Sequence, residues 1–256
     1  MKWLRFPWRR TLLCKRDHVA LPPPMLRAAG PLFKGDRAFR NFATSDVALM
    51  ERHTSLAGKR ILDFGCGSGR LYFGLTQRSE PSSYLGADIR SDSIVWARRH
   101  IASANPRFSF RQVDIQHDRY NPGGTLNNDA WRDAVRQQFD VIYSYSVLSH
   151  LAENEAHTVL SMFAERLPVD GWLFVTAFVA EQAENVVINP ADAGFSIKGP
   201  LHVVRYRSDY FRDVMLSSFN IVADYVGAAT DGQTFFVAQR RALTSPAESP
   251  PVAMAD

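Results

Sequence analysis

From residue 60 onward the apolar positions come in blocks, and the period of each block alternates between short continuous runs and helical spacing. RILDFG (60–65) is an apolar run closed by glycine and predicts a buried strand, with a helix over 69–77. YLGADI predicts a second strand, followed by a helix over 92–103 with Ser91 as its N-cap. RFSFRQVDI reads as a third strand and FDVIYSYSV (139–147) as a fourth, apolar on both faces. A helix over 153–167 ends at PVDG, and WLFVTAFV makes a fifth strand. A helix over 207–217, a strand over 219–225 and the strand QTFFVAQR complete the pattern. The expectation is an α/β fold: a doubly wound, mostly parallel seven-stranded sheet with helices on both faces. The short GAATDG connection makes the last two strands a C-terminal antiparallel hairpin.

Before residue 60 the pattern is less regular. Residues 1–24 mix basic residues with Trp3, Phe6 and Trp8 and end in LPPP, which forbids a regular helix. A helix is expected near 45–56, stopped by Gly58. Two connections, 116–133 and 180–206, exceed the usual length and are candidate functional loops. The division that follows is a basic arm (1–24), one α/β domain (25–241) and a Pro/Ser/Ala-rich tail (242–256) expected to be disordered.

Composition narrows the class. A chain of 256 residues, 46% hydrophobic, supports one domain with a sizeable core. No apolar run approaches the roughly 18 residues of a membrane span, and charges interrupt the N-terminus too often for a signal peptide. Cys14 and Cys66 make no disulfide framework, which fits a reducing, cytoplasmic setting. Residues 1–40 carry ten Lys/Arg against Asp17 and Asp36, a net of +8. With a total of +4, the remainder therefore carries −4. The basic character belongs to the arm, so nucleic acid is not an expected partner of the main domain.

The chemistry starts at ILDFGCGSGR (61–70). A dinucleotide-binding turn needs a third glycine where Arg70 stands, and a P-loop needs a lysine that is missing here. What remains is D-x-G-x-G-x-G: Asp63, Gly65, Gly67 and Gly69. With Asp88 ending the second strand, Asp114 in RQVDI and the run FDVIYSYSVLSHL, the pattern resembles the class I S-adenosylmethionine (AdoMet) methyltransferases, small-molecule type. The resemblance covers residues 43–240 and implies AdoMet as the methyl donor. It implies that the glycine turn holds the methionyl part, with Asp63 orienting the turn. Asp88 would hold the ribose hydroxyls with Ile89 beside it, and Asp114 and Ile115 would lie against adenine. Tyr145 would complete the pocket. Read without the resemblance, Asp88 can also cap a helix and Asp114 can be a turn residue.

No metal is expected. An activated sulfonium needs chiefly an aligned acceptor, and an acceptor of high pKa would also need a base. His150 in SVLSHL is the candidate base, with the alternative that it only positions other groups. Ser146, Phe195, His202 and Tyr206 are candidates for the acceptor wall, with Ile197 among them. Phe33, Arg37 and Arg40 are candidates for the methionine carboxylate, unless that segment is a solvated basic helix. The acceptor class expected is a small molecule, or a cell-surface sugar or lipid, methylated on oxygen. Two other readings stand beside it: an RNA or protein N-methyltransferase guided by the arm, and a non-catalytic AdoMet-binding module. The aromatic and basic arm also suits contact with an anionic membrane surface.

Overall fold

The computed structural model describes residues 19–27, 30–194, 196–197, 199–229 and 231–242. Most of the basic arm and all but the first residue of the expected tail lie outside the described residues, as does Phe195. The helices are α1 (Asp36–Glu51), α2 (Arg70–Arg78), α3 (Ser91–Ala97), α4 (Ala130–Ala134), α5 (Glu153–Arg166) and α6 (Ser208–Leu216). The strands are β1 (Arg60–Phe64), β2 (Ser83–Asp88), β3 (Phe108–Gln112), β4 (Val141–Ser144), β5 (Trp172–Ala180), β6 (Val186–Ile188), β7 (Val204–Arg207), β8 (Phe219–Tyr225) and β9 (Thr234–Arg240).

The central strands run β3-β2-β1-β4-β5, all parallel, and β9 then pairs antiparallel with β5 and with β8. This is the expected seven-stranded sheet with its terminal hairpin. Every residue of β4 is buried, as its two-sided apolar pattern requires. Strand order reverses between β1 and β4, which opens a crevice beyond their carboxyl ends.

The segment 180–206, expected as a loop, adds two strands. β7 pairs parallel with Phe178–Ala180, the last residues of β5, beyond the stretch that pairs with β4. β6 then pairs antiparallel with β7. These strands are only three and four residues long, too short to register as a period-two pattern.

Helix ends also moved. The first helix starts at Asp36 rather than 45, because Phe39, Ala43, Val47 and Met50 form one continuous buried stripe. It ends at Glu51. Ser91 is the first residue of α3 and not its N-cap; Arg90 holds that place without a side-chain cap. The start is set upstream, where Asp88 Oδ1 accepts a hydrogen bond from Arg90 N at 2.8 Å. After Ala97 the helix widens into a π turn over Arg98–Ala102.

α1 packs tightly on α2 at Gly74. A Cβ on Gly74 would stand 2.1 Å from the carbonyl oxygen of Ala43. Since backbone must move to accept it, Gly74→Ala is expected to destabilise the protein by about 2–3 kcal/mol, the cost of overpacking a tight interface. A urea melt checks this, and an unchanged midpoint would contradict it.

Candidate functional site

Three glycines build the turn after β1. Gly65, Gly67 and Gly69 have φ of 77°, 52° and 82°, a left-handed sequence that side-chain-bearing residues resist. Space matters as much as torsion: a Cβ at Gly65 would come within 2.2 Å of Val147 Cγ2. The turn can therefore lie directly against the chain leaving β4.

Asp88 is pinned where β2 meets this turn. Its Oδ2 accepts from Gly67 N at 2.6 Å, and its Oδ1 serves Arg90 N. The carboxyl is buried, and desolvation raises its pKa against the pull of those two amides. Asp63 sits in the centre of the sheet, where Tyr84 Oη donates to its Oδ2 at 2.5 Å. Burial pushes the Asp63 carboxyl up to about 7, even with the Tyr84 hydrogen bond and the Arg70 charge opposing.

Two hollows meet at the turn and share Gly65 and Tyr145. The smaller, about 420 Å³, is bounded by Asp63, Gly67, Ser68 and Arg70. Arg70 pairs with Asp46 at 2.5 Å, bonds Tyr143 Oη at 2.8 Å, and lies over the rings of Phe33 and Tyr145. The larger is an open cleft whose space, solvent-open mouth included, is about 820 Å³. Asp88, Ile89 and Ile115 line one side, and Tyr145, Ser146 and His150 line another. Its apolar walls include Phe64, Trp131 and Leu151.

The structure thus brings most of the candidates together. Gly69 lies just behind them as the residue before α2. Asp114 stands apart from the cleft lining: its Oδ1 accepts from Asn121 Nδ2 at 3.0 Å and its Oδ2 from Thr125 Oγ1 at 2.9 Å. These bonds hold its pKa below the usual carboxylate range and clasp the loop over 116–126. Asp114→Asn is expected to speed amide hydrogen exchange over 117–126 without lowering the melting temperature measurably. Equal exchange in both proteins would count against the clasp.

Other candidates sit elsewhere. Tyr206 is buried, and its single Oη hydrogen is shared between Leu148 O at 3.3 Å and Leu151 O at 3.4 Å, anchoring the turn that carries His150. His202 is buried outside the cleft lining, its backbone N–H held by Asn189 Oδ1. Ile197 is at the surface. Phe33, a candidate for the methionine carboxylate, is buried in the core, whereas Arg37 and Arg40 are exposed, as the alternative of a solvated basic helix has it, with Arg40 over the ring of Phe73. The buried arginine of the smaller hollow is Arg70, whose position had served only to exclude a dinucleotide turn.

Sequence reasoning also missed His117, Tyr120, Asn128, Trp131 and Glu155, all in the cleft. The length of the 116–133 connection was the available signal, since a long ordered loop implies a function. His150 is nearly enclosed; Tyr120 Oη stands 3.1 Å from its Nε2. Burial, with help from Arg119, pushes the His150 ring down to about 3, so it is neutral at physiological pH.

Comparison with known proteins meets this geometry. A family described as "Methyltransferase domain" matches residues 62–173, from the middle of β1 to the start of β5. Residues 62–173 carry a methyltransferase domain. The match spans the glycine turn, Asp88, the clasped loop and His150. The domain is 28% identical over 131 residues to the ubiquinone biosynthesis O-methyltransferase of Glaesserella parasuis serovar 5 (strain SH0165), covering 49% of this chain and 48% of that protein. The chain thus spans about half the length of that curated relative. It is 24% identical over 163 residues to the U6 snRNA methylphosphate capping enzyme Amus of Drosophila melanogaster, covering 62% of this chain and 53% of that one. Among solved structures, magnesium protoporphyrin IX methyltransferase from Synechocystis PCC 6803 superposes with a TM-score of 0.56 at 16% identity, covering 84% of this chain and 88% of that chain. That likeness concerns the fold of the methyltransferase domain. No helix among the described residues is long and apolar enough to cross a membrane, and no cluster of His, Cys, Asp or Glu among them could hold a metal ion.

Proposed function

We propose that this protein transfers the methyl group of AdoMet to the oxygen of a small molecule bound in the larger cleft. The observation that carries the reading is Asp88, a buried carboxylate that orders the left-handed glycine turn and also opens into the cleft. AdoMet supplies an activated methyl group on a sulfonium. The chain's own residues then have three tasks.

The glycine turn admits the amino-acid end of the donor, with Asp63 and Arg70 offering charges of opposite sign to an ammonium and a carboxylate. Asp88 accepts the two vicinal hydroxyls of the ribose, while Ile89 and Ile115 supply apolar contact for the base. Tyr145, Ser146 and Val147 bound the passage from the donor to the acceptor side. Alignment of this kind supplies roughly 7–11 kcal/mol of barrier reduction in favourable cases. The apolar walls of the cleft support a small-molecule acceptor, as do the names of relatives such as the ubiquinone biosynthesis O-methyltransferase.

Calorimetry of the full chain with S-adenosylhomocysteine (AdoHcy) and with AdoMet tests the donor, and conversion of AdoMet to AdoHcy in a cell extract tests transfer. A protein that binds neither nucleoside sinks the reading. The capping-enzyme relative favours a second reading, an RNA acceptor guided by the basic arm. Salt-dependent RNA binding that disappears on deleting residues 1–24 would support that one.

A further inference from the structure

Ser146, the second residue past β4, has φ 55°, a left-handed conformation that side-chain-bearing residues resist. Polar groups from two distant segments hold it there. Thr176 Oγ1, in β5, accepts from Ser146 N at 2.7 Å and donates to Gln233 Oε1 at 3.0 Å. Gln233, just before β9, gives one Nε2 hydrogen to Asp231 Oδ2 at 2.7 Å and the other to Ser146 Oγ at 2.8 Å. The amide is oriented from both ends, because the Thr176 hydroxyl needs its oxygen and the Asp231 carboxylate needs its nitrogen. Thr176 and Gln233 are fully buried, so water does not replace these bonds.

Ser149 completes the arrangement. It is fully buried, and Ser146 Oγ, 3.2 Å away, is its side-chain hydroxyl's one hydrogen-bond partner among the described residues. The Ser149 hydrogen therefore goes to Ser146, since the reverse direction would leave a buried O–H without an acceptor. Ser146 Oγ then accepts twice, from Gln233 and from Ser149, which uses both of its lone pairs. Its own hydrogen has no acceptor among the described residues. Ser146 is half-buried and lines the larger cleft, so that hydrogen is available there to a ligand.

Position decides which ligand the hydrogen serves. Tyr145 borders both hollows, whereas Ser146 borders only the larger. In the methyl-transfer reading the amino-acid end of AdoMet has Asp63 and Arg70 in the smaller hollow, and its ribose and base have Asp88, Ile89 and Ile115. Ser146 is left for the acceptor.

We propose that Ser146 is the hydrogen-bond donor that orients the acceptor molecule, and that Gln233 is the positioning residue that keeps the Ser146 hydroxyl a donor. The inference rests on the methyl-transfer reading above and adds a rule of specificity to it. The acceptor presents to Ser146 an oxygen or ring nitrogen with a free lone pair. A group with only hydrogens to give, such as an ammonium or an amide N–H, is rejected there, because both lone pairs of Ser146 are occupied from inside the protein. Gln233 touches no ligand. It acts through Ser146, by filling a lone pair that would otherwise let the hydroxyl turn.

The test incubates the full chain with AdoMet tritiated in its methyl group and a limiting small-molecule extract of the producing cells. Under that limit the initial rate of labelling follows kcat/KM for the acceptor. Ser146→Ala should lower the rate about fivefold to tenfold while AdoHcy affinity by calorimetry stays within about twofold of the parent. Gln233→Glu puts an acceptor where the amide nitrogen stood, so the Ser146 hydrogen turns inward and the loss should be of the same size. In the Ser146→Ala background, Gln233→Glu should cost less than about twofold more, since the hydroxyl it acts through is gone. If its charge prevents folding, Gln233→Met takes its place in the same cycle, because it too removes the hydrogen given to Ser146. Losses that multiply instead of overlapping overturn the positioning role of Gln233. A Ser146→Ala variant that labels as fast as the parent overturns the proposal. So does a matching fall in its AdoHcy affinity, which would assign the hydroxyl to the methyl donor, or a parent that binds AdoHcy yet labels no small molecule. If the parent chain fails to bind AdoHcy at all, the methyl-donor reading itself falls.

Discussion

Replacing Asp88 with alanine is expected to weaken AdoHcy binding at least about 100-fold, or about 2.7 kcal/mol. Two losses combine. The ribose hydroxyls lose a charged acceptor, and such hydrogen bonds contribute about 1.5–3 kcal/mol each. The glycine turn also loses its brace, because Gly67 N and Arg90 N both give their hydrogens to this carboxylate. Asp88→Asn separates the two. Asparagine keeps the volume and one acceptor but presents an NH2 group toward at least one existing donor, so it should fall between alanine and the parent. Calorimetry with AdoHcy, alongside a thermal melt showing that each variant remains folded, gives the answer. Binding by Asp88→Ala within threefold of the parent would remove Asp88 from the site.

Stability should fall as pH rises from about 4 to about 7, and Asp63→Asn should flatten that slope. In the unfolded chain the Asp63 carboxyl titrates near its ordinary value, whereas in the fold it is pushed up to about 7 by burial. Between those values the native state binds more protons than the unfolded state, so raising the pH favours unfolding. The contribution is complete below the unfolded pKa, is lost on the way up through 7, and is flat beyond it. Three pH decades at 1.36 kcal/mol each set an order of magnitude of about 4 kcal/mol. Asparagine retains an oxygen for Tyr84 Oη, so the variant loses the titration and keeps the hydrogen bond. Urea melts at pH 5 and pH 8 for both proteins measure it. A parent more stable at pH 8 than the variant by the same margin as at pH 5 would show that Asp63 does not titrate in this window.

The elements that sequence reasoning placed well share a physical basis. β1, β4 and β5 are covered on both faces, so nearly every side chain must be apolar, and the runs stand out against their neighbours. The turn was equally legible, since only glycine tolerates three left-handed residues in alternation. Asp63 and Asp88 were legible because a carboxylate at or near the end of a buried strand has few reasons to be there. Other positions were open in the sequence and were decided by the fold. For Arg37 and Arg40 the sequence left two readings, a site for an anion or a solvated basic helix, and α1 turns both to solvent. Arg70, inside the motif itself, is the arginine that reaches the smaller hollow. Asp114 stood at the expected position, and its two oxygens went to Asn121 and Thr125, partners seven and eleven residues downstream.

The sequence by itself determined the mostly parallel sheet and its terminal hairpin, the glycine turn and the carboxylate beside it. Those features depend on local torsion and on burial patterns, and both are written residue by residue. Only the tertiary structure decided what surrounds the acceptor. Tyr120 meets His150 across 30 positions, Gln233 meets Ser146 across 87, and Arg70 meets Tyr143 across 73. Polar side chains of this sort have no periodicity to betray them. Their chemistry is fixed by which donor faces which acceptor, and that is settled only when distant segments pack.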